Sequence, residues 1–255
     1  MKRLLINGIG GQMGRALVKT VREFDHGFEI VGGVDPFCTD DLPFPVFASA
    51  AEIDVPVDVV IDFSVPKATE EILAFSLERK IPAVICTTAL SDGLIAEIDA
   101  ASKEIPVFRS GNMSLGVNLM RVLLKQARQT LGDAFDIEII ETHHNRKKDA
   151  PSGTALMLAE AISEADGTKH AYVFGRSEKD RRRSPGEIGF HSIRGGTIVG
   201  QHEVRFIGQD EELSVRHEAY SKQVFANGAL KAAQFLLTKQ NGLYSMDDLV
   251  NELLN

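Results

Sequence analysis

Short apolar runs alternate with helical patterns through the first part of the chain. The runs at 2–7, 29–35, 57–64 and 83–87 are rich in Val and Ile and too short for helices, so they predict strands. Helical patterns lie between them at 12–24, 66–79 and 91–103. Pro66 suits a first helical turn, and Asp92 and Glu97 fall in the early turns of the third helix. This alternation implies an α/β, doubly wound (Rossmann-type) parallel sheet, with a ligand crevice at the carboxyl ends of its strands.

The pattern changes near Gly116. A helix over 117–131 precedes a long strand over 135–142, a polar loop and a helix over 152–164. From 195 to 220 two alternating stretches, TIVGQHEVRFIG and ELSVRHEAY, flank the turn Gly208-Gln209-Asp210-Glu211. They predict an antiparallel sheet and hence an α+β second domain. The segment 167–189, with RSEKDRRRSPGE inside it, predicts a mobile surface loop. Helices over 222–239 and 246–254 close the chain. If they pack back on the first domain, the second is an insertion, with boundaries at 1–115 plus 223–255 and 116–222.

Composition narrows the function classes. Of 255 residues, 44% are hydrophobic and 25% charged, ordinary values for a folded globular chain. With 28 Lys and Arg against 36 Asp and Glu, the net charge is −8, opposite to the usual balance of a nucleic-acid binder. An anionic ligand must then be held by a local basic cluster or by backbone N–H groups. The start, MKRLLINGIGGQMG, resembles a signal peptide only superficially, because its apolar run is short and broken by glycines. No run is long enough to predict a membrane span. Cys38 and Cys86 form neither a disulfide framework nor a metal-site spacing. A cytoplasmic protein is the expectation.

Gly8-Ile9-Gly10-Gly11-Gln12-Met13-Gly14 follows an apolar strand and opens a helix. Glycines there permit a tight turn and close backbone approach to a pyrophosphate at the positive helix end. The glycine expected at the sixth position comes one later, so the loop alone is also compatible with a plain strand–helix turn. Asp35 adds weight: it ends the second strand, where an acid can accept hydrogen bonds from adenosine ribose hydroxyls. A turn-initiating Asp before Pro36 is the alternative, and glycine loop and acid together favour dinucleotide binding over it. No Arg or Lys lies between Asp35 and Lys67, which favours NADH over NADPH.

A second constellation is His143-His144-Asn145-Arg146-Lys147-Lys148-Asp149-Ala150-Pro151-Ser152-Gly153-Thr154. Adjacent histidines at a strand end point to opposite faces and suit separate roles better than one shared metal. His relays protons near neutrality, and Lys147 can donate a proton or hold a carboxylate. Ser152, Gly153 and Thr154 open a helix whose N–H groups make an anion site beside these cations. A solvated charged loop with a helix cap is the bland alternative. Cys86-Thr87-Thr88 and Ser110-Gly111-Asn112-Met113 end apolar runs at the crevice edge, as cofactor contacts or as ordinary strand ends. Cys86 suits a buried small hydrophobe better than a nucleophile, and Phe225 suits the core.

These residues resemble the dihydrodipicolinate reductase family from end to end. The likeness rests on NGIGGQMGR, the threonines at 87–88, NMSLGVN at 112–118, ETHHNRKKDAPSGTAL at 141–156, IGFHSIRGG at 188–196, GQHEV at 200–204 and FANGA at 225–229. It implies a dinucleotide-binding domain with an inserted α+β domain, carrying an open mixed sheet, for substrate binding and homotetramer formation. It also implies hydride transfer from NAD(P)H to a small cyclic dicarboxylate. His143 matches the family's proton donor or acceptor and Lys147 its proton donor. His144, Gly153 and Thr154 match substrate contacts. Gly8, Ile9, Gly10, Gly11, Gln12, Met13, Asp35, Cys86, Thr87, Thr88, Ser110, Gly111, Asn112 and Met113 match cofactor contacts. Cys86 stands where the family usually has Gly, and Pro36 where some members carry Arg. Asn145 and Arg146 differ from some members' Arg-His pair.

Overall fold

A computed structural model describes residues 1–177 and 182–254. It divides into two compact units, Met1–Leu115 with Lys222–Asn255, and Gly116–Ser221. The first holds strands β1 (Lys2–Asn7), β2 (Phe28–Val34), β3 (Val46–Phe47), β4 (Val59–Asp62), β5 (Ala83–Ile85) and β6 (Pro106–Arg109). Helices α1 (Gln12–Glu23), α2 (Pro66–Arg79) and α3 (Asp92–Ala101) lie between them in sequence.

All pairs in this sheet are parallel. Residues of β4 and β5 are buried throughout, the signature of parallel strands covered on both faces. One face, with Leu4, Ile6, Ile61 and Val84, packs against Leu17 of α1 and against Leu230 and Ala233 further along the chain. The other, with Leu5, Val60, Ala83 and Ile85, meets Ile72 and Phe75 of α2 and Leu94 and Ile98 of α3. In sheet order β1 lies between β4 and β2. Strand order therefore reverses at β1, where an open α/β sheet leaves its ligand crevice.

Helix α4 (Leu115–Leu131) leads into the second unit, which holds β7 (Asp136–His143), α5 (Gly153–Asp166), β8 (Ala171–Phe174), β9 (Glu187–Arg194), β10 (Gly200–Ile207) and β11 (Glu212–Ala219). The chain then completes the first unit with α6 (Gln223–Leu236), β12 (Gly242–Tyr244) and α7 (Met246–Leu254). Strand β12 pairs with β6 at the sheet edge.

The two strands expected to be antiparallel, β10 and β11, pair that way, and the sheet as a whole is mixed. Its order is β11-β10-β7-β9-β8: β7–β10 and β10–β11 are antiparallel, while β7–β9 and β8–β9 are parallel. The composition of 167–189 predicts a loop, yet β8 and the start of β9 fall there. A four-residue edge strand flanked by charges gives too few alternations to register against its surroundings. Residues 178–181 of that loop lie outside the described residues. Strands β3 and β12 were missed for their brevity. Helices α4 and α5 cover one face of this sheet through Met120, Leu124, Leu158 and Ile162 packed on Ile137, Ile139, Ile188, Val204 and Phe206.

Candidate active site

In the first unit the glycine loop joins β1 to α1. Gly8 adopts φ +79°, and a Cβ on it would stand 2.6 Å from the Phe63 carbonyl oxygen. A Cβ on Gly14 would lie 2.4 Å from the Gly8 carbonyl oxygen, so glycine lets α1 seat against the loop. The side chain of Ile9 is buried, so it can offer only backbone to a ligand, and Met13 is partly buried against the core. The Gly11 N-cap uses no side chain, and α1 has no acid in its first turn. These helix-start N–H groups, with no acid in the helix's own first turn, suit a pyrophosphate.

Asp35 follows β2. Its carboxylate accepts from the Gly10 N–H at 3.0 Å and the Phe37 N–H at 2.9 Å, which fixes it against the loop. Beside it a cavity of about 400 Å³ is lined by Gly8, Gly11, Asp35, Phe37, Val65 and Lys67, among others. Phe37 is 88% exposed there, an uncommon state for a large apolar ring. Lys67 bears on the sequence reading, which found no basic residue near Asp35 in the chain. The fold brings this lysine to the same cavity, where it pairs with Glu70 at 3.1 Å.

The remaining first-unit candidates converge on one edge. Asp62, fully buried at the end of β4, accepts hydrogen bonds from Asn7 Nδ2 (2.9 Å), Thr69 Oγ1 (2.6 Å) and Thr87 Oγ1 (2.8 Å), as well as from Ser64. This carboxylate ties the ends of β1 and β4 to the segment after β5. The Ser110 N–H donates to the Ile85 carbonyl, and Gly111 neighbours Thr88. Ser110 and Asn112 brace each other, while Met113 is buried. Burial, with nearby Asp62 second, pushes the Cys86 thiol well up, so it is a core residue and no nucleophile.

In the second unit, β7 delivers His143 at its end, 8% exposed. His143 Nδ1 lies 2.5 Å from Glu141 Oε2. Glu141 is also clamped by Arg194, Nη1 at 2.8 Å and Nη2 at 2.7 Å, and accepts the Ser152 N–H at 3.2 Å. Burial alone would raise the Glu141 carboxyl. Hydrogen bonds from His143, Arg194 and Ser192 outweigh it and hold the group down at about 2. His202 packs edge-on against His143, with ring centroids 5.1 Å apart, and its Nε2 meets Ser152 Oγ at 3.0 Å. Burial, then the neighbouring His143, pushes His202 down to about 3, so it is neutral near pH 7.

Ser152 caps α5 by accepting the Ala155 N–H, and Gly153 and Thr154 follow it in the opening turn, next to the residue that bonds both Glu141 and His202. His144 is held by its N–H on the Ile198 carbonyl, and its buried Nδ1 has no hydrogen-bond partner among the described residues. Lys147 is tied to Asp149 at 2.9 Å rather than to His143. Its N–H donates to the His144 carbonyl, so one turn carries both candidates.

Two family models cover the chain: dihydrodipicolinate reductase, N-terminus, over residues 2–113, and dihydrodipicolinate reductase, C-terminus, over residues 116–250. The chain belongs to the dihydrodipicolinate reductase family. The 4-hydroxy-tetrahydrodipicolinate reductase of Caldanaerobacter subterraneus subsp. tengcongensis is 50% identical over 252 residues, covering 99% of each chain. That of Clostridium novyi is 45% identical over 251 residues, covering 98% of each. A dipicolinate-bound dihydrodipicolinate reductase from Paenisporosarcina sp. TG-14 superposes with a TM-score of 0.80 at 25% identity, covering 98% of this chain and 99% of that one.

Membership makes the chain an oxidoreductase with a nicotinamide cofactor, and the glycine loop, the uncapped α1 start and Asp35 fit such a group. Three residues of the reductase's second unit escaped the sequence reading: Glu141, Arg194 and His202. One signal was present, because Glu141 and His143 stand two apart on one strand and so share a face. Nothing local pointed to Arg194, which is 53 positions from Glu141.

Proposed function

We propose that this chain reduces 4-hydroxy-tetrahydrodipicolinate to tetrahydrodipicolinate, with the 4-hydroxyl leaving as water, in lysine and diaminopimelate biosynthesis, with His143 and Lys147 as its catalytic residues. The observation that carries this reading is the buried, Glu141-anchored His143 set beside the start of α5. NAD(P)H, when bound through the backbone of residues 8–13, Asp35 and the segments 86–88 and 110–113, supplies the hydride. The α5 N–H groups at Gly153 and Thr154, with His144, receive the carboxylates of the substrate. Hydride arrival at the ring leaves electron density that a proton must quench. Lys147 donates it, released from Asp149 as a substrate carboxylate takes that partner's place, and His143 exchanges a proton beside it.

The finer readings follow the same logic. Asp35 favours the ribose hydroxyls of NADH, and the pairing of Lys67 with Glu70 leaves that lysine partly neutralised as a partner for a 2′-phosphate. A homotetramer is supported by the second sheet's uncovered face, which carries Ile140, Ile193, Glu203 and Arg205. A cytoplasmic setting fits two unpaired cysteines. Among the described residues no helix is long and apolar enough to cross a membrane.

The test is nicotinamide oxidation, followed by absorbance, with the product of the upstream synthase as substrate. Wild type should turn over with a lower KM for NADH than for NADPH. His143→Ala and Lys147→Ala should each lower kcat by roughly 10²- to 10⁴-fold, the range of general acid–base catalysis, with NADH binding nearly intact. Wild-type turnover in both variants would sink the assignment. A family member that binds NADH yet never oxidises it with this substrate would be a nucleotide-binding protein instead.

A further inference from the structure

Strand β7 sends Glu141 and His143 to the same face. Glu141 is only 1% exposed, and both its oxygens are occupied. Oε2 takes His143 Nδ1 at 2.5 Å and Arg194 Nη1 at 2.8 Å; Oε1 takes Arg194 Nη2 at 2.7 Å and the Ser152 N–H at 3.2 Å. An ionised carboxylate only accepts, so His143 Nδ1 must carry its hydrogen. That assigns the other nitrogen to the chemistry. His143 Nε2 faces Gly200, where a Cβ would come within 3.1 Å, and glycine keeps that approach open. The same carboxylate binds Ser152, whose side chain caps α5.

We propose that Glu141 is a positioning residue for the reduction: it fixes the tautomer and orientation of His143 and, through Ser152, the distance from that imidazole to the helix start that receives a substrate carboxylate. This rests on the reductase reading above. Arg194 is part of the device, because its bidentate clamp keeps the buried anion from swinging away. Glu141 itself touches no substrate.

Glu141→Gln preserves volume and inverts the polarity at one oxygen. Placing the amide NH2 on the Ser152 side would set it against two donors, Ser152 N and Arg194 Nη2. On the His143 side it meets the Arg194 Nη1 donor and can donate to Nδ1, while the Ser192 hydroxyl that also bonds this group can accept as well as donate. The imidazole must then carry its hydrogen on Nε2. In the full-length protein with ¹⁵N-labelled histidine, the neutral form of wild-type His143 should show the Nδ1–H tautomer and that of E141Q the Nε2–H tautomer. Turnover of E141Q should fall by roughly 10²- to 10⁴-fold with KM for NADH unchanged. Glu141→Asp keeps the anion and should restore the Nδ1–H tautomer and part of kcat. In a His143→Ala background, E141Q should alter kcat by less than about threefold, because the two residues act as one unit.

A wild-type His143 with Nε2–H, or an E141Q loss that multiplies with that of H143A, overturns the proposal. If E141Q fails to fold, the wild-type tautomer and the E141D variant decide it. Failure of the wild type to turn over counts against the reductase reading alone, since the tautomer is read without substrate.

Discussion

Burial acts on two neighbouring groups in opposite directions at the candidate site. It raises the Glu141 carboxyl and lowers the His202 imidazole, but only Glu141 has cationic and N–H donors strong enough to reverse the effect. His202 has a hydroxyl, Ser152 Oγ, and the edge of another imidazole, so it stays neutral. This difference gives a pH signature. The His202 value falls from 6.5 to about 3 on folding, so its contribution to stability is complete above 6.5 and is lost as pH falls towards 3. Protons bind the unfolded chain first, and the slope approaches about 1.4 kcal/mol per pH unit. Glu141 starts from the ordinary carboxyl value of 4.5, so it adds its own loss only below that. Urea midpoints of wild type and His202→Asn should therefore converge as pH drops from 6.5 to 4.5. Parallel curves over that window would show that His202 is not buried in its neutral form.

The elements carry a different constraint, which is how closely two backbones approach. Helix α6 packs on the segment after β6 so tightly that a Cβ on Gly228 would stand 1.6 Å from the Met113 carbonyl oxygen. The obstacle is backbone, which cannot swing aside like a side-chain end. Gly228→Ala should cost about 1–3 kcal/mol in urea unfolding. Gly93→Ala, in α3, meets only Ser91 Oγ at 3.8 Å and should be neutral or stabilising by up to about 1 kcal/mol. Equal losses in both would mean the contact is not what glycine serves. Such contacts also explain which elements were legible. Strand β5 is an unbroken apolar run and β4 is one up to its closing Asp62, Pro66 marks the start of α2, and the glycines of the β1–α1 turn announce themselves. Strand β8 has four residues and one partner, and its pairing with β9 is set by contacts far away in sequence. The same limit hid part of the site. His143 and Lys147 stand in one local run, whereas Arg194 reaches Glu141 only because β7 and β9 pair in register, His143 opposite Arg194. Lys67 reached the Asp35 cavity by the same route, through the parallel placement of β4 beside β1.

At the scale of the molecule the second sheet has one face packed by α4 and α5 and one that no helix of its unit covers among the described residues. On that open face the register sets Ile140 beside Glu203 and His191, Thr142 beside Gln201 and Ile193, and Glu138 beside Arg205. Ile193 is 50% exposed. Alternating Ile with paired charges is a poor design for a permanently wetted surface and a good one for an interface that must also choose its partner. The homotetramer proposed above uses this face, and a single substitution tests it. Ile140→Lys places an ammonium opposite Glu203, where a cross-strand pair is tolerated in the isolated chain. In an assembled sheet–sheet contact the same ammonium would be buried among apolar side chains, at a cost of several kcal/mol. Sedimentation should give a fourfold assembly for the wild type and smaller species for I140K, with the far-ultraviolet circular dichroism of the two unchanged. A wild type that sediments as a monomer across the micromolar range would remove the face from the interface, and with it the tetramer.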